Sequence, residues 1–208
     1  MKLVMQENQA LPIPDGQSGV FEVQQGTGIG RDSGLLVLRL ITGSLLAGHG
    51  SQKLFGWFSG PGLQGTAGWL ESLGLKPGSM WAKGAASSEF GGGLLTSLGF
   101  LHPLGSLTAL APMIMATATA HRGKPIWVTA GGAELPVTNM AAALALILTG
   151  PGRFSLDRLF GIRLPRTLVI GAAIVEATMI IIGINNRPAP PSTSPVAEEA
   201  KESLTSGQ

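Results

Sequence analysis

The chain has no cysteine and no tyrosine, and only 12% of its 208 residues are charged. Without cysteine it can form no disulfide, no cysteine-ligated iron–sulfur cluster and no thiol nucleophile. Its charged fraction is about half the roughly 25% usual in soluble domains. The 14 Lys and Arg stand against 12 Asp and Glu, a formal net charge of +2, and no block of like charges occurs. Nucleic-acid binding therefore has no electrostatic footprint. What the chain has instead is 44% hydrophobic residues, 31 glycines and a mean hydropathy of +0.32. That balance excludes an ordinary water-soluble enzyme, a disordered chain and a disulfide-stapled secreted domain, and points to a membrane protein.

Residues 1–33 read as a polar N-terminal extension, with no basic start and apolar core of the signal-peptide kind. The GTGIG run before Arg31 has no strand ahead of it and reads as a flexible linker, not a phosphate loop. Residues 185–208 are rich in Pro, Ser and Glu and are expected to form a disordered tail. Between them lie five apolar runs, near 34–55, 82–101, 104–120, 134–149 and 167–184. Each is close to the roughly 20 residues that a membrane-spanning helix needs, and none alternates like a strand. The fold expected is all-α: a polytopic membrane helical bundle with a four-helix core over 34–160 and a fifth, C-terminal transmembrane helix within 161–184. Leu63, Ala67, Leu70 and Leu73 recur at helical spacing between the first two runs, so residues 57–81 are expected to hold a short interfacial helix. A tight turn at His102 and Pro103 predicts an antiparallel hairpin.

Alternation of the helices places Trp57, Trp69, Trp81 and Trp127 at one membrane face, as interfacial anchors. The other face carries Arg31, Arg153, Arg158, Arg163 and Arg166, and the positive-inside rule makes that face, with the N-terminus, cytoplasmic. Ionisable residues within the spans are the functional candidates. His49, Lys53, Glu89, His121 and Glu134 lie on four helices near the tryptophan face and define a candidate polar pocket. Glu89 is the deepest of these, with an ion pair to Lys53 or His49 as one expected role. Glu176, near the middle of the fifth helix, is expected to face a partner subunit, and Arg39 lies near the other face. A His49–His121 metal or haem pair has too few ligands, so no metal site is assigned. The sequence names no catalytic residue and contains no P-loop, GxSxG or HExxH motif.

The blocks HGSQKLFGWF (His49–Phe58), SSEFGGG (Ser87–Gly93), TAGGAELP (Thr129–Pro136) and LTGPGRFSLD (Leu148–Asp157) follow in the order of the DoxX family, which the chain resembles over about 38–160. The resemblance implies a four-helix membrane bundle in a redox context. The family takes its name from a small subunit associated with a thiosulfate:quinone oxidoreductase of sulfur-oxidising archaea. The extension, the fifth helix and the tail depart from that pattern.

Two functions follow as expectations. The first is an accessory subunit of a quinone-linked respiratory, sulfur-oxidising or photosynthetic complex in a prokaryotic cytoplasmic membrane, packing against lipid and the other subunits. The second is a quinone-interacting subunit of a membrane oxidoreductase, using the polar pocket. In both, the chain alone binds no cofactor beyond a possible quinone, electrons come from another protein, and whether a reaction is catalysed stays open.

Overall fold

A computed structural model describes residues 28–185 as helices joined by loops, with no strand among them. Most of the expected extension and tail lie outside the described residues. The helices are α1 (Gly28–Phe55), α2 (Gly62–Ser72), α3 (Gly78–Leu98), α4 (Leu104–Thr108), α5 (Leu110–Ala118), α6 (Glu134–Thr149), α7 (Leu156–Phe160) and α8 (Arg166–Asn185). Two of them, α1 and α8, are long and apolar enough to cross a membrane. The 21-residue α3 is diluted by Lys83, Glu89 and many glycines and serines, and α6 and the combined Leu104–Ala118 stretch are shorter apolar helices.

Three differences from the sequence reading have local causes. First, α1 starts at Gly28, so Gly28–Ser33 are helical and not linker. Tertiary contacts hold that first turn: Arg31 donates to the Thr149 carbonyl at 2.9 Å, and Asp32 accepts the Arg153 amide at 3.1 Å. Second, the third apolar run is interrupted at Ala109. Pro112 has no N–H to give the Thr108 carbonyl, so the regular ladder breaks there. Third, α7 was not expected. Ser155 caps it by accepting the Arg158 amide at 3.3 Å.

The centre of the bundle is the crossing of α1 and α3. Lipid offers no hydrophobic drive for helices to associate, so close backbone contact must supply the attraction. A Cβ at Gly93 would run into the Ala47 backbone and the Gly43 carbonyl, and one at Gly50 into the Phe90 backbone. On its next face α3 meets α4, where Gly92 sits against Gly105 and Thr108, and the Thr96 and Ser106 hydroxyls lie 3.5 Å apart. The α3–α4 pair thus forms the expected hairpin. Leu46, Ala109 and Met113 make one small apolar core, and Leu70, Leu75 and Ala82 fasten α2 to the start of α3. The expected short helix between the first two apolar runs is α2. On α8 the outer side chains, among them Ile170, Ile174, Val175 and Ile181, are exposed, as a lipid- or protein-covered surface requires.

Candidate functional site

Glu89 is 1% exposed, about three turns into α3, and forms an ion pair through Oε1 with Lys53 Nζ near the end of α1. Gly50, one turn before Lys53, touches the Phe90 backbone, so the glycine crossing that joins α1 to α3 also brings these two charges together. Lys53 keeps a quarter of its side chain exposed, and the other Glu89 oxygen, Oε2, is buried without a partner.

Both residues line a cavity of about 260 Å³ between α2, α3, α5 and α8. Its walls are chiefly apolar, including Trp69, Trp81, Met113 and Met115, with polar groups from Ser88 and Thr119. Glu176 also lines it. The expected partner-facing carboxylate therefore turns toward an internal cavity of its own chain, and its Oε2 is likewise buried with no hydrogen bond. Packing of Gly183 against Trp81 and Met115 closes α8 over this side of the bundle and sets that direction. Burying a carboxylate oxygen without a donor costs free energy, so two such residues lining one cavity are the most informative feature of the site.

The other expected pocket residues go elsewhere. His49 is exposed on α1 and does not line the cavity. His121 Nδ1 lies 2.7 Å from the Gly131 carbonyl, and Glu134 Oε2 accepts the Val128 amide at 2.8 Å. These two side chains fold the α5–α6 loop onto itself, where Ile126, Trp127 and Val128 are exposed. The cavity set is thus Lys53, Glu89 and Glu176 with Ser88 and Thr119. Of the tryptophans, Trp69 and Trp81 line it, while Trp57 and Trp127 stay exposed outside it.

A second polar cluster, at the opposite end, was legible only in pieces. Arg39 is 3% exposed and donates to the Pro151 and Phe154 carbonyls, the latter at 2.5 Å. Asp157 accepts the Leu101 and His102 amides at 2.8 and 2.7 Å, and its own amide donates to the Gly99 carbonyl at 3.0 Å. Gly99 ends α3 with φ 60°, and a Cβ there would strike the Arg39 guanidinium, so no other residue fits. The loop after α6 is thereby locked under the α3–α4 turn. Burial holds the His102 imidazole below its ordinary pKa, against the opposing pull of the Asp157 carboxylate. This cluster satisfies backbone groups and has a structural role.

Among the described residues every element is helical and two helices, α1 and α8, are long and apolar enough to cross a membrane, which points to a membrane protein. Residues 34–122 match the DoxX family model, and over that stretch the chain is similar to the membrane proteins of the DoxX family. The matched stretch holds Arg39, Lys53 and Glu89, and ends before Glu134, Asp157 and Glu176. No curated protein and no solved structure matches the chain.

Proposed function

We propose that this protein is a polytopic five-helix subunit of a membrane redox assembly, and that its cavity receives the ring of a quinone-type molecule. The five spans are α1, α3, α4 with α5, α6 and α8. The observation that carries the site is that two residues with unpartnered carboxylate oxygens, Glu89 and Glu176, line one chiefly apolar cavity. At about 260 Å³ the cavity is slightly below the roughly 300 Å³ at which small-molecule pockets begin. It suits a ring better than a long isoprenoid tail, which would extend into lipid.

The donor and acceptor set favours the reduced, hydroxyl-bearing form. Glu89 and Glu176 accept, and a quinol brings two O–H donors where a quinone brings only acceptors. Lys53 and the Ser88 and Thr119 hydroxyls orient the ring, and Glu89 and Glu176 stand where a departing proton would be received. A bound quinone-type group supplies two-electron redox chemistry, and a redox centre of a partner subunit would exchange the electrons. The exposed α8 face offers that partner a surface. We place the chain in a prokaryotic cytoplasmic membrane with the start of α1, which meets the arginine-rich loop, on the cytoplasmic side, and the N-terminus therefore in the cytoplasm.

The test uses the protein's own fluorescence. In a Trp57→Phe/Trp127→Phe background only Trp69 and Trp81 remain, and both line the cavity. Titrating the detergent-solubilised chain with a short-tailed benzoquinol is expected to give saturable quenching. Glu176→Gln is expected to weaken binding at least tenfold, the loss of one hydrogen bond to a charged group. Quenching that never saturates, or is the same in Glu176→Gln, would overturn the quinone site.

A further inference from the structure

At the end of the bundle where α1 begins, three arginines lack any acidic partner. Arg153, Arg158 and Arg163 are exposed, and among the described residues none of their guanidinium groups makes a hydrogen bond or ion pair. All three line an open groove of about 790 Å³ that also includes Asp32 and Asp157. The two carboxylates offset part of that charge but form no ion pair with the arginines, and the five groups leave the groove with a net positive charge. Asp32 Oδ1 accepts the Arg153 amide at 3.1 Å, and both oxygens of Asp157 are taken by the Leu101 and His102 amides. Clustered guanidinium groups repel one another unless an anion lies between them, and their planar forks suit phosphate oxygens.

A second groove, of about 640 Å³, shares Arg153 and Arg158 with the first and runs over Leu36, Leu98, Phe154 and Leu159. The same two arginines therefore border a polar groove on one side and, on the other, a mixed groove in which Leu36, Leu98, Phe154 and Leu159 stand among Arg39, Ser97 and Ser155. Phe154, Leu159 and Phe160 are exposed beside them. That profile is amphipathic in the way a phospholipid is. A soluble phosphate ester, or a purely acidic protein segment, would leave the leucine and phenylalanine stretch of the second groove unused.

We propose that this face binds an anionic phospholipid, its phosphate held by Arg153, Arg158 and Arg163 and an acyl chain lying along Leu36, Leu98, Phe154 and Leu159. Basic pockets at the ends of membrane helices hold such headgroups by the same charge complementarity. The site is at the opposite end of the bundle from the cavity of Lys53, Glu89 and Glu176, so it stands or falls independently of the quinone reading. It also makes lipid the brace for the loop that Arg39 and Asp157 lock from inside.

The purified full-length chain in detergent is titrated with cardiolipin, and separately with phosphatidylcholine of the same acyl chains, and bound lipids are counted by native mass spectrometry. Cardiolipin is expected to bind preferentially, to weaken with added salt, and to lose at least tenfold affinity in Arg153→Gln/Arg158→Gln/Arg163→Gln. Arg163→Gln alone, which alters one exposed side chain, is expected to give a smaller loss in the same direction and serves if the triple variant does not fold. Glu176→Gln is expected to bind cardiolipin as the parent does. Equal retention of phosphatidylcholine, or unchanged cardiolipin affinity in folded arginine variants, would overturn the proposal. Displacement of the lipid by soluble glycerol 3-phosphate would also overturn it, assigning the groove to a free phosphate ester.

Discussion

Lys53→Met is expected to destabilise the protein by about 3–5 kcal/mol, the cost of leaving one member of a buried ion pair without its partner. For a chain of this size that is a fall of roughly 10 °C in the thermal midpoint measured in detergent. The loss comes from Glu89, whose carboxylate is buried in α3 and would have no cation left to face. The reverse change is milder. In Glu89→Gln the lysine retains a quarter of its side chain exposed and can turn its ammonium toward water or headgroups. The double variant Lys53→Met/Glu89→Gln removes both charges and is expected to recover most of the stability. A double-mutant cycle therefore gives a strong coupling, and simple addition of the two single effects would contradict a direct pair.

The second large effect is steric and contrasts two glycines in one helix. Gly93→Ala places a methyl group against the Ala47 backbone and the Gly43 carbonyl, atoms that cannot rotate away. Overpacking of this kind costs about 1–3 kcal/mol. Gly93→Leu is expected to prevent the α1–α3 crossing and to leave no folded protein after detergent extraction. Gly91 has nothing near its would-be Cβ. Gly91→Ala is therefore expected to be neutral, or stabilising by up to about 1 kcal/mol through helix propensity. Size-exclusion profiles and melting curves of the pair make the comparison, and an equal response at both positions would contradict the close crossing.

Much of the helical layout was visible in the sequence because long apolar runs without alternation favour helices, although only α1 and α8 are long and apolar enough to cross a membrane. The run from Glu134 to Thr149 has the bounds of α6, and the leucines at 63, 70 and 73 marked the helix at α2. Lys53 and Glu89 were legible as charges in apolar surroundings, which carry their own cost. The first turn of α1 was not legible, because Arg31 and Asp32 are held by backbone groups more than a hundred residues away. For the same reason Arg39 gave no sign of its partners, which are carbonyls of a loop rich in Pro and Gly. Glu176 was read outward because α8 is apolar all round and no stripe marks its inner side. Its direction is set by helix packing alone. His121 and Glu134 were read with the pocket residues because nothing in their spacing separates a loop-closing hydrogen bond from a pocket contact.

Placement of Glu176 and Glu89 on one ligand cavity is the central claim, and photolabelling tests it most directly. The full-length chain in lipid nanodiscs is irradiated with an azido-quinone, and the labelled peptides are mapped. The expected label falls on the cavity walls, within residues 84–89, 111–119 and 176–180, is competed by unlabelled quinol, and declines in Glu176→Gln. Label confined to the lipid-exposed side chains of α8, such as Ile170 and Ile174, and indifferent to competitor, would contradict it.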